Sequence, residues 1–175
     1  MMKTPHKGFT LVETLVAISI LMISIAGPYY SVYKAVQTTY IARDKLIATA
    51  LAQEGIEYVR NVRDSNYLYN VANPGAQVDW LNGLTPCTGS GVTCRVDTTK
   101  GTITPPVTCN GACVPLNISS ADVYTYDPGN PSRYTRSVNI TAVDTKESIV
   151  TVTVTWVNSH MTNSIVVTEH LYNWL

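Results

Sequence analysis

Residues 9–33 of the chain read FTLVETLVAISILMISIAGPYYSVY, an apolar run whose only charge is Glu13. Its length matches the roughly 20 residues an α-helix needs to cross the ~30 Å hydrocarbon core of a bilayer. Gly27 and Pro28 are its breakers, and they predict a kink or a loosened turn rather than an end. Beyond Pro28 the pattern changes. Val36, Tyr40, Ile47, Leu51, Tyr58 and Val62 recur at helical steps, which makes a one-sided apolar stripe. Arg43, Lys45, Glu54, Glu57 and Arg60 lie largely off it, and Glu57 and Arg60 are spaced to pair on one face. The two patterns together predict one helix over about residues 10–64, on the order of 80 Å long at 1.5 Å per residue.

From residue 65 to residue 117 no period survives. NPG, LNGLTPC, TGSG, TPP and CNGAC interrupt it, and such punctuation predicts loops, with short strands at most around residues 92–96 and 101–104. The last third alternates. RYTRSVNITAV, SIVTVTVTWV and SIVVTEHLYNWL are β-branched or aromatic runs separated by DTKE and NSHMTN. In the middle run Val150, Val152, Val154 and Trp156 interleave with Thr151, Thr153 and Thr155, one face apolar and one hydroxylated. That pattern predicts an antiparallel meander buried on one face, with the helical stripe as its cover. The fold class is therefore α+β, a long N-terminal helix followed by a C-terminal antiparallel sheet.

Composition refines the picture in two places. The chain is neutral overall, with twelve basic and twelve acidic side chains, but Lys3 and Lys7 precede the apolar run and leave ten basic against twelve acidic behind it. Positive charge on that side predicts a cytoplasmic N-terminus and an exported remainder, and the slightly acidic remainder offers no basic stripe for direct binding to nucleic acid. The four cysteines, Cys87, Cys94, Cys109 and Cys113, fall in one Gly-, Thr- and Pro-rich segment. Behind an export signal they favour disulfides, and their spacing favours Cys87 with Cys94 and Cys109 with Cys113 among three possible pairings. A four-thiolate zinc site is the competing reading, and the C-x6-C and C-x3-C spacings fit it poorly.

Glu13 is the anomaly, since an acidic residue in the bilayer interior costs about 2.5–3.5 kcal/mol on insertion scales. Read with its neighbours, Lys7-Gly8-Phe9-Thr10-Leu11-Val12-Glu13 resembles the processing motif of type IV prepilins and type II secretion pseudopilins, a basic leader ending in Gly before an apolar helix. The resemblance implies that a prepilin peptidase cuts between Gly8 and Phe9 and that the new Phe9 amine is methylated. It implies that Glu13 then faces the N-terminal amine of a neighbouring subunit in a filament, an ion pair that offsets part of the burial cost. It further implies other pilin subunits, an inner-membrane assembly platform and the lipid bilayer as partners. The expected location is the inner membrane, single-pass with the head outside, and later a filament at the cell surface. No cofactor is expected. The segment ALAQEGIEYVRNVRDSN and the ending VTVTVTW are similar to V-type minor pilins and I-type pseudopilins, while the cysteine-bearing insertion departs from them. The domain organisation expected on this basis is leader 1–8, membrane and polymerisation half-helix 9–30, amphipathic half-helix 31–64, variable cysteine-bearing loops 65–117, and sheet head 118–175.

Other readings explain less. Ordinary signal peptidase could read Ser24-Ile25-Ala26 and release a protein starting at Gly27, but Glu13 and the continuing helical stripe oppose it. A membrane-tethered binding or adhesion domain that never polymerises leaves Gly8, Phe9 and Glu13 without a role. An enzyme is not expected: His6, His160 and His170 sit in no motif with a nucleophile or a metal partner, and TGSGV from Thr88 is not a nucleophile elbow. Asp122, Asp127 and Asp144 are too scattered for a calcium loop, so YDPGNPSRY reads as a hydrogen-bonded turn. Asn117 and Asn139 match the N-glycosylation pattern by chance. Eleven tyrosines against one phenylalanine, with Tyr124, Tyr126, Tyr134, Tyr172 and Trp174 near the sheet, fit half-buried β packing better than an adhesive face.

Overall fold

The computed structural model describes residues 8–158 and 161–173, with only the backbone at residues 102 and 103. Lys3, His6, Lys7, His160 and Trp174 therefore lie outside the described residues. The chain divides into two compact units, Met1–Asp44 and Lys45–Leu175. One helix, α1, spans Leu11–Ala72 and belongs to both.

Within the first unit α1 is helical throughout, Pro28 included. Its side chains are exposed on every side as far as residue 43, and Val36 and Tyr40 are exposed with the rest rather than part of a core. The hydroxyls in the apolar run are spent on the helix backbone. Thr14 Oγ1 donates to the Leu11 carbonyl, Ser19 Oγ to Leu15 and Ser24 Oγ to Leu21, each at 2.8 Å. A hydroxyl used in this way costs little when water is removed.

The second unit is the α+β head. The last part of α1 buries Ala48, Leu51, Ala52, Tyr58, Val59 and Val62, the i, i+3, i+4, i+7 set of one helix face. Those residues share a core with the inward positions of an antiparallel meander made by β6 (Tyr134–Ala142), β7 (Glu147–Asn158) and β8 (Met161–Tyr172). β7 pairs with β6 and β8 without a bulge, and its burial alternates residue by residue. Val150, Val152, Val154 and Trp156 point inward and the threonines between them outward, as the alternation requires. The DTKE turn closes because the Asp144 carboxylate accepts from the backbone N–H groups of Lys146 and Glu147, at 2.6 and 2.7 Å.

Three expectations need correction. The helix ends at Ala72, not near Asp64, because two asparagines that read as loop residues fasten its last turns to the chain beyond. Asn70 exchanges two hydrogen bonds with the Val78 backbone, at 2.8 and 2.9 Å, and Asn66 Nδ2 donates to the Trp80 and Asn82 carbonyls. Second, residues 101–104 do not form a strand, since a 3-10 segment occupies Thr98–Ile103 with Asp97 accepting from the Thr99 N–H at its start. Third, a strand lies where only loop was expected, β2 (Val107–Thr108); it pairs with β1 (Cys94–Arg95), the short strand expected near residues 92–96, and the two extend the meander into a five-stranded sheet of order β2-β1-β6-β7-β8. A separate three-stranded sheet, β4-β3-β5, is built from β3 (Asn117–Ile118), β4 (Tyr124–Thr125) and β5 (Asn130–Pro131). Gly129 is required there, because a Cβ at that position would lie 2.5 Å from the Ile118 carbonyl oxygen.

The disulfides join Cys87 to Cys94 and Cys109 to Cys113. The first is wholly buried and holds its loop on the sheet edge, where the Gly89 N–H donates to the Ile140 carbonyl at 3.0 Å and Asn139 Nδ2 donates to the Gly89 carbonyl at 2.8 Å.

Candidate functional site

Two regions bear on function, one in each unit. In the first, Gly8, Phe9 and Thr10 precede α1 in non-helical backbone and are exposed, which leaves the Gly8–Phe9 peptide bond open to a protease cleft. A Cβ at Gly8 would meet nothing within 4 Å. Packing among the described residues thus gives no steric reason for glycine there. Thr10 starts the helix: its Oγ1 accepts from the Glu13 N–H at 3.3 Å and its carbonyl from the Thr14 N–H at 3.2 Å. T-x-x-E before an apolar run is a capping-box signature, and this local pattern is the signal in the sequence for the role of Thr10. Capping places Glu13 in the first turn, where the helix dipole favours an anion. Among the described residues no side chain pairs with the Glu13 carboxylate. Gly27 and Pro28 lie within the continuous helix, and a Cβ at Gly27 would also meet nothing.

In the head, charge is gathered where α1 meets the sheet. Arg136 on β6 is 1% exposed; Nη1 donates to the Leu51 carbonyl at 3.1 Å and to Glu54 Oε2 at 3.2 Å, and Nη2 donates to the Val96 carbonyl at 2.8 Å. Arg60 grips Glu169 of β8 with two hydrogen bonds of 2.7 Å and also pairs with Glu57. The Glu169 bond holds the Arg60 guanidinium protonated more firmly than usual. Arg60, Arg63, Asp64, Glu169 and His170 line an open cleft of about 580 Å³, but its charges are already spent on one another. Arg63 Nε donates to Asp64 at 2.8 Å, and His170 Nδ1 lies 2.5 Å from Glu147. Neither Arg136 nor the Arg60–Glu169 contact is legible in the sequence, because the partners lie forty or more positions away.

Among the described residues no group of three or more His, Cys, Asp or Glu side chains is placed to hold a metal. Asp127 in the YDPGNPSRY turn accepts from Lys100 Nζ at 2.5 Å, and its carbonyl accepts from Asn117 Nδ2 at 2.9 Å. Tyr124 packs edge-on against Tyr134, which in turn meets Trp156 at 6.2 Å. Tyr126 donates its hydroxyl hydrogen to the Arg136 carbonyl at 3.3 Å. Tyr134 and Trp156 are buried in the core and Tyr124 and Tyr126 are partly buried against it, whereas Tyr172 remains exposed.

Residues 3–27 match the family model described as the prokaryotic N-terminal methylation motif. The match supports the type IV pilin and pseudopilin superfamily, a structural and non-enzymatic family, and the α+β architecture is pilin-like. The motif implies processing by prepilin peptidase and assembly with other pilin subunits. The exposed apolar helix, long enough to cross a bilayer, fits a single-pass inner-membrane anchor. Neither the curated proteins nor the solved structures contained a match to this chain.

Proposed function

We propose that the chain is a minor pilin or pseudopilin: an inner-membrane precursor cut after Gly8, N-methylated at Phe9 and drawn into a filament of the type IV pilus or type II secretion kind through α1. The observation that carries this reading is the Gly8-Phe9 bond in exposed, non-helical backbone, with Phe9 four residues before a carboxylate that no described side chain neutralises. Cleavage at that bond creates a cationic amine, and the Thr10 cap keeps Glu13 within the first turn beside it. A neighbour displaced along the filament axis presents its amine to that carboxylate from outside the turn. The pair then offsets the burial cost of both charges and selects one axial register. The leader charges Lys3 and Lys7 keep the N-terminus cytoplasmic, and both disulfides suit a head outside the membrane.

The test is co-expression with a prepilin peptidase and its assembly platform. Glu13→Gln is expected to be cut after Gly8 as the parent is, yet to disappear from the sheared filament fraction. If the variant enters filaments as well as the parent does, the pairing role is wrong. If neither enters, the non-polymerising tethered domain is the better account.

A further inference from the structure

We infer that Tyr29, Tyr30, Tyr33 and Lys34 form an interfacial belt that binds the headgroup layer on the far side of the bilayer and fixes how deeply α1 sits before it leaves the membrane. The inference rests on the reading of the first part of α1 as a membrane anchor. The helical residues from Leu11 to Pro28 span about 27 Å, close to the thickness of the hydrocarbon core. The belt begins at the next residue. Its tyrosines are 73%, 62% and 52% exposed, so none is used in packing within the chain. Tyrosine is suited to the boundary, where its ring stays in an apolar layer and its hydroxyl reaches water.

The polar ends of the belt are already organised. Lys34 Nζ stands 5.6 Å from the centre of the Tyr30 ring, and Gln37 Nε2 donates to the Tyr33 hydroxyl at 3.0 Å. Lys34 is the first charge after Glu13, and an ammonium at that level complements headgroup phosphates. Below the belt the side-chain hydroxyls of Thr14, Ser19 and Ser24 are satisfied by the helix itself. The change from self-satisfied to outward-facing polar groups thus falls where the apolar length runs out.

The test uses the full chain in vesicles of phosphatidylethanolamine and phosphatidylglycerol. A ketoxime spin label on p-acetylphenylalanine at position 21, 30 or 40 leaves the disulfides untouched, and power saturation with oxygen and a nickel chelate reads its depth. The label at 30 is expected at phosphate level, about 13 Å shallower than the label at 21, with the label at 40 in water about 15 Å further out. In a Tyr29→Leu/Tyr33→Leu background, which lengthens the apolar run, the label at 40 is expected to move inward by about one turn, ~5 Å. A label at 30 as deep as 21 or as aqueous as 40, or no movement at 40, overturns the belt. An aqueous label at 21 overturns the anchor beneath it as well.

Discussion

Gly55 packs α1 closely against the sheet, and Gly55→Ala tests that contact through its sign. An added Cβ would lie 3.0 and 3.3 Å from the two methyl carbons of Val152 and 3.4 Å from Arg136 Cδ. In a free helix the substitution stabilises by about 1 kcal/mol, because alanine has the higher propensity. Here two neighbours have to yield, and neither does so readily. Val152 is β-branched, stiff at χ1 and held between Val138 and Val167 on the flanking strands. Arg136 is fixed by Leu51, Val96 and Glu54. Overpacking of this kind costs about 1–3 kcal/mol, so the net effect is a loss of about 1 kcal/mol and a midpoint lower by about 2–4 °C. The assay is thermal unfolding of the full chain in detergent, followed by near-UV circular dichroism. In a Val152→Ala background the obstruction is gone, and the same Gly55→Ala change is expected to stabilise by about 0.5–1 kcal/mol. A raised midpoint in the parent, or the same sign in both backgrounds, refutes the close approach.

Arg136→Ala should destabilise by about 3–5 kcal/mol in denaturant titrations, because it leaves a void and orphans the Val96 carbonyl, while Arg136→Met, which keeps the volume, should cost less. Under limiting reductant, mass-resolved alkylation should find Cys109 and Cys113 modified before Cys87 and Cys94, since the latter disulfide has no exposed sulfur for a thiolate to attack. Burial raises the Tyr58 and Tyr126 hydroxyls above the ordinary tyrosine value of 10.0, with Asp97 adding to both. A folded value above the unfolded one means a contribution that is intact below about pH 10 and is lost as pH rises through the folded value. Stability should therefore fall above about pH 10, and Tyr58→Phe/Tyr126→Phe should flatten that fall.

What the chain spells locally was readable, and what it settles at a distance was not. The helix and the meander follow from periods of 3.6 and 2, and over residues 47–62 and 134–172 those periods are direct consequences of burying one face. Gly8, Phe9 and Glu13 stand out because their chemistry depends on neighbours in sequence. The helix extension to Ala72 was hidden, since Asn66 and Asn70 look like loop residues until the Val78 and Trp80 backbone is beside them. The short strand expected near residues 92–96 is β1, whereas β2, two residues long, is too short to show alternation and forms by pairing with β1. Gly55 and Arg136 could not be weighed from sequence, because the need for one arises at Val152 and the partners of the other lie on α1 and next to β1.

The central claim, that the apolar helix begins at a processed and assembly-competent end, rests on one covalent event. The mass of the mature N-terminal peptide from cells carrying the matching peptidase tests it most directly. The account predicts a peptide starting at Phe9 with a methylated amine. A chain starting at Gly27, or one retaining Met1 and an uncut Gly8–Phe9 bond, would contradict it.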